Sequence, residues 1–193
     1  MSAAVVLIVG LGNPGPQYET TRHNAGFWFV EQVAQEYGGQ FRPEAKFHGE
    51  VAQVSIGGRQ VWLLKPQTFM NRSGQAVAAL ARFYKISLDQ ILVVHDELDL
   101  PPGTARLKQG GGHGGHNGLR DIVAQVGGRE FMRLRLGIGH PGNSRQVSDY
   151  VLSRAGAEDQ RLIEVSLDEA KAVLPQVVEG EFQKAMNALH TQG

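Results

Sequence analysis

Seven residues stand where a polar side chain could reach a reacting atom: Asn13, His23, Asn24, Asn71, Asp96, His116 and Asn117. Each follows a short apolar segment or opens a helix-like one. A histidine and an aspartate delivered from separate strand ends are the minimum for general-base catalysis. The imidazole takes a proton from water, and the carboxylate fixes its tautomer and steadies the imidazolium. Asparagine amides add neutral donors and acceptors that orient water and hold a carbonyl oxygen. Taken singly, each residue has a plainer role, asparagine as a helix cap and aspartate as a turn former. Their recurrence at successive strand ends is what points to chemistry, provided the strands run side by side and bring those ends together.

Other chemistries are less well served. The chain has no cysteine, which removes thiol nucleophiles, disulfides and cysteine-based zinc sites. No Gly-x-Ser-x-Gly elbow occurs, and Ser73 reads as a helix cap, so activated water is a simpler nucleophile than a covalent serine. Gly10-Leu-Gly-Asn-Pro-Gly15 matches the GxGxxG pattern of dinucleotide sites, but Pro14 sits inside the turn. Ser55-Ile-Gly57 also stands where an acid should meet the ribose. In Gly110–Gly118, six of nine residues are glycine. Their exposed amides lead into a helix start, with Lys108 just before, an arrangement suited to phosphate. His113 and His116 have a metal-like spacing, but with no HExxH and no carboxylate in the loop no metal is expected.

The elements that must position these residues follow from periodicity. Val5–Leu11, 49–56, 60–65, 90–95, 104–108 and 131–138 read as strands, with Gly57-Gly58 as a hairpin turn. Residues 23–37, 73–84 and 117–125 read as helices, the second capped by Asn71 or Ser73. In the strand 131–138, Met132, Leu134, Leu136 and Ile138 alternate with Arg133 and Arg135, predicting one apolar and one basic face. A short helix at 148–152, an acidic helix over 157–178 broken near Pro175, and a last helix at 180–190 complete the chain. Alternating strands and helices predict an α/β fold: one domain over 1–193, a twisted, mixed, mostly parallel sheet with helices on both faces.

Composition bounds the class. Hydrophobic residues make up 41% and charged residues 20%, so the chain folds, while its 25 glycines are roughly twice the usual share. No apolar run approaches the roughly 20 residues of a membrane span, and Met1-Ser-Ala3 is not a basic leader, so a cytoplasmic protein is expected. The formal net charge of zero hides an asymmetry: residues 101–145 carry seven cations and two acids, whereas 146–193 carry four and eight. The basic stretch, which includes Arg106, Lys108, Arg120, Arg133 and Arg135, is suited to a polyanion.

Five longer motifs carry a resemblance. Val9-Gly-Leu-Gly-Asn-Pro-Gly15 with Thr21-Arg-His-Asn-Ala-Gly26, Lys65-Pro-Gln-Thr-Phe-Met-Asn71-Arg-Ser-Gly74, His95-Asp-Glu-Leu-Asp99, Gly110 to Asp121, and Arg133-Leu-Arg-Leu-Gly-Ile-Gly-His-Pro-Gly142 together resemble the bacterial-type peptidyl-tRNA hydrolases. The resemblance implies a monomeric α/β enzyme that cleaves the ester joining a peptide to tRNA, without metal or cofactor. It implies His23 as general base and Asp96 as the residue that holds it. Asn13 and Asn71 would place the substrate, Asn117 the attacking water. Tyr18, Phe69 and Met70 would line the peptide groove, and Lys108 and Arg135 would bind tRNA phosphate. The region after Gly142 would cover the site. A non-catalytic RNA-binding module is the alternative reading, and a dinucleotide enzyme a more distant one.

Overall fold

The computed structural model describes residues 3–190. Its centre is one seven-stranded sheet: β1 (Leu7–Gly10), β2 (Arg42–Glu44), β3 (Gly49–Ile56), β4 (Arg59–Pro66), β5 (Ile91–Glu97), β6 (Ala105–Gln109) and β7 (Met132–Gly137), in spatial order β2-β3-β4-β1-β5-β7-β6. The middle four strands are parallel, and β3 and β6 add antiparallel neighbours at either side, with β2 antiparallel to β3. The sheet is therefore mixed with a parallel centre. Among the described residues no helix is long and apolar enough to cross a membrane.

Two apolar layers follow from the alternation along β1. Ile8 faces α1 (Ala25–Glu36), α5 (Ala157–Ala172), α6 (Leu174–Val178) and α7 (Phe182–His190), while Leu7 and Val9 face α2 (Ser73–Phe83) and α3 (Asn117–Val126). The hairpin forms where expected, with Gly57 and Gly58 at φ 59° and 82°. The tail helix breaks at Val173, and Pro175 falls in the first turn of α6, where its missing N–H costs nothing.

The structure corrects several details. The first helix begins at Ala25, with His23 in a preceding 3-10 turn over Arg22–Asn24. Neither Asn71 nor Ser73 caps α2. Ser73 is buried and its hydroxyl donates to the carbonyl of Met70. The Gly74 amide donates instead to the Asp121 carboxylate of α3 at 2.8 Å. The short edge strand β2 was not anticipated, because Pro43 disguises it.

The GxGxxG glycines have a packing explanation. A Cβ on Gly10 would lie 2.3 Å from the carbonyl oxygen of Gly26, and one on Gly26 would lie 2.4 Å from that of Val94. The backbone that Gly10 approaches closely is that of α1.

Candidate active site

Parallel β1 and β5 release the chain at the same sheet edge, and α1 and α3 begin above it. There a cavity of about 480 Å³ gathers Asn13, His23, Met70, Asn71, Asp96 and Asn117. Tyr18 and Phe69 lie outside its lining and meet edge to face, with ring centroids 6.2 Å apart. Phe69 is half exposed and holds φ 63° with ψ 155°, a region almost reserved for glycine. Lys108 and Arg135 line a smaller cavity of about 260 Å³, which shares His95, Glu97, His113 and Gly114 with the first.

Asp96 is the electrostatic centre. His23 Nδ1 lies 2.8 Å from one carboxylate oxygen and His116 Nε2 lies 2.9 Å from the other. Burial works to push the Asp96 carboxyl up, but the two flanking imidazoles outweigh it and hold it well below the usual carboxylate range. Burial also disfavours the charged form of His23. The Asp96 charge and hydrogen bond more than offset this, leaving His23 above its ordinary value. An ionised Asp96 accepts a hydrogen bond from the Nδ1–H of His23, which keeps the proton on Nδ1 and leaves Nε2 its lone pair, the form a general base requires.

The tautomer of His116 is fixed from behind. Its Nδ1 accepts from the backbone amides of Gly118 and Leu119 at 3.1 and 3.3 Å, capping α3. Nε2 must then carry the proton and donate it to Asp96. The ligand atoms of His23, Asp96 and His116 lie within 4.8 Å of one another, the spacing of a three-ligand metal site. With its lone pair committed to the helix amides, His116 presents a proton to that space and not a lone pair, so the set fits a hydrogen-bonded relay better than a cation. Sequence reasoning placed His116 at a helix start without this role. Its signal was a histidine in an N-cap position.

His95 was also missed as a site residue. Its Nδ1–H donates to the Asp96 carbonyl at 2.9 Å, and its Nε2 is buried with no partner among the described residues. Burial and the nearby His116 push it down to about 4, so it is neutral in ordinary conditions.

The asparagines are oriented with similar care. Asn24 accepts from the Asn13 amide at 2.9 Å and donates to the Asn13 carbonyl at 3.0 Å, fixing the backbone of the first loop. The Asn13 side-chain oxygen accepts from the Met70 amide at 2.7 Å, which leaves the amide nitrogen as the group available for a ligand.

The basic strand face needs correction. Arg133 is 2% exposed, and its guanidinium donates to the carbonyls of Gly111 and Gly112 beneath the glycine-rich loop. Arg135 donates through Nε to Glu97 at 2.9 Å, with its terminal nitrogens left for other acceptors. On the far wall, α4 (Val147–Val151) supplies Val147, Ser148 and Val151 to the main cavity. Arg22, beside His23, ties this element down by donating to the Tyr150 carbonyl at 2.8 Å and stacking 3.8 Å from the Tyr150 ring centre.

Comparison with known proteins identifies the family and the fold. The family model for peptidyl-tRNA hydrolase matches residues 7–193. A peptidyl-tRNA hydrolase of Marinobacter nauticus is 57% identical over 191 residues, covering 99% of this chain and 97% of its own. One from Methylobacillus flagellatus is 59% identical, covering 96% of each. The crystal structure of the Acinetobacter baumannii peptidyl-tRNA hydrolase superposes with a TM-score of 0.95 at 51% identity, over 98% of this chain and 96% of that one. With the motifs in order along the whole fold, the chain belongs to the peptidyl-tRNA hydrolase family.

Proposed function

We propose that the chain hydrolyses the ester bond of peptidyl-tRNA, releasing peptide and tRNA, with His23 as the general base. The observation that carries this reading is the His23–Asp96–His116 array at the wall of the main cavity. His23 Nε2 takes a proton from water as the oxygen attacks the ester carbonyl. The Asp96 carboxylate stabilises the resulting imidazolium without itself accepting the proton. Amide donors from Asn13 and Asn71 hold the peptide carbonyl and its developing oxyanion, and Asn117 orients the water. The proton then passes from His23 to the departing ribose oxygen, leaving a free carboxylate and a free hydroxyl.

Met70 borders the reacting carbonyl, and the Tyr18–Phe69 pair lies just beyond it as an apolar wall for the peptide. Lys108 and Arg135 meet tRNA phosphate in the adjoining cavity. In this reading the enzyme acts as a monomer in the cytoplasm, and no step of the scheme calls on a metal or cofactor.

The test is hydrolysis of an N-acetylated aminoacyl-tRNA by His23→Ala. General-base catalysis contributes about 10²–10⁴-fold, so turnover should fall by that order while circular dichroism and tRNA affinity stay unchanged. Wild-type turnover in the variant would refute the assignment.

A further inference from the structure

Asn13 separates the main cavity from a second one of about 480 Å³, and it lines both. Phe27 and Glu31 of α1, with Glu50 and Lys65 from the ends of β3 and β4, form part of the second cavity. Among the described residues that line it, the carboxylates are Glu19, Glu31 and Glu50 and the only cation is Lys65. Lys65 is nearly buried, and its ammonium lies 3.1 Å from Glu31 and 3.1 Å from Glu50. Its charge is thus already shared between two acids, and the cavity carries a net negative charge. Glu19 and Glu31 continue into a third hollow of about 390 Å³ along α1.

The polarity across the fold is therefore opposed. Lys108 and Arg135 belong to β6 and β7, on one side of the β1–β5 centre, and the acidic cavity lies toward β4 and β3 on the other. A tRNA bound by its phosphates is attracted to the first side and repelled from the second. With the ester at His23, only the other arm of the substrate can enter the acidic side. Asn13 is 8% exposed, its oxygen is engaged by Met70, and its amide nitrogen has no acceptor among the described residues. With that nitrogen on the ester carbonyl, the Gln67 carboxamide, which lines the same second cavity, can pair with an extended peptide backbone.

We propose that this second cavity seats the residues of the peptide beyond the one esterified, and that it favours basic side chains there. The proposal rests on the peptidyl-tRNA reading of the main cavity.

The experiment compares three N-acetyl-tripeptidyl-tRNAs that share one tRNA and an esterified glycine, preceded by Lys-Lys, Leu-Leu or Glu-Glu. At low salt, KM should rise in that order, by about threefold to tenfold from Lys-Lys to Glu-Glu, as expected for one or two partly screened ion pairs. Values of kcat should be alike, because the contacts lie away from the ester. The double variant Glu19→Gln, Glu31→Gln should lose most of the KM spread and keep wild-type kcat on the Leu-Leu substrate. Hydrolysis of all three with equal KM, or a spread that survives in the double variant, overturns the subsite alone. Failure to hydrolyse any of them overturns the reading of the main cavity and the subsite with it.

Discussion

His116 holds Asp96 from the side opposite His23, donating through Nε2 to Oδ1 at 2.9 Å while its own Nδ1 accepts from the first amides of α3. The relay thus begins in backbone, not in another titratable group. The helix start fixes the His116 tautomer, His116 fixes the carboxylate, and the carboxylate fixes the base.

His116→Asn tests that order. Asparagine can still cap α3 but is too short to reach Asp96. Losing a hydrogen bond to a buried charge costs about 1.5–3 kcal/mol, so kcat should fall by about 10- to 100-fold while KM changes little. The acid limb of the pH profile should also shift, because Asp96 is then free to move relative to His23. A variant that lost stability but kept both kcat and the profile would reduce His116 to a cap.

The pH dependence has a definite sign. His23 must be neutral to act, and its pKa is raised above 6.5 by Asp96 against the effect of burial. Activity should therefore fall as pH drops through a value above 6.5. In Asp96→Asn the charge is removed and burial remains, so a histidine titration followed by NMR should place His23 below 6.5. Stability follows the same linkage. The share from His23 is complete below its unfolded value and fades as pH rises through the folded one. The share from Asp96 is present above the usual aspartate range and fades only at strongly acidic pH, because its folded value is depressed.

Lys108 and Arg135 should differ in tRNA binding. Lys108→Ala removes one phosphate contact and should flatten the logarithmic salt dependence by about one unit. Arg135→Ala removes a contact and also releases Glu97, which Arg135 now neutralises at 2.9 Å. Its affinity loss at low salt should exceed that of Lys108→Ala, and Glu97→Gln in the same chain should restore part of it. Equal losses would show that Glu97 does not face the phosphate.

The polar residues at strand ends were legible in the sequence because a parallel sheet leaves few other places for them. His23 and Asp96 lie 73 positions apart yet meet, since β1 and β5 are neighbours and α1 starts above them. What remained hidden depended on how separate segments close over one another. Ser73 looked like a cap because nothing local announces that Asp121, 47 positions on, reaches Gly74. The alternation in β7 correctly separated its two faces, but periodicity does not say whether a face meets water. The glycine-rich loop folds over the arginine face, and Arg133 becomes part of the core.

Arg133→Met separates these two roles of a cation. The methionine fills much of the buried volume but leaves the Gly111 and Gly112 carbonyls without their donor. Hydrogen exchange over 110–116 should accelerate by about tenfold or more, as expected when an anchoring bond to a charged group is lost. Turnover should fall several-fold, because the same loop leads directly into His116 and Asn117. Arg133 lines the same small cavity as Lys108 and Arg135, but it is 2% exposed and its guanidinium is engaged by the loop carbonyls, so the salt dependence of tRNA binding should change far less than in Lys108→Ala. A slope reduced by one unit with unaltered loop exchange would show instead that Arg133 contacts the nucleic acid and that the loop is held by its glycines alone.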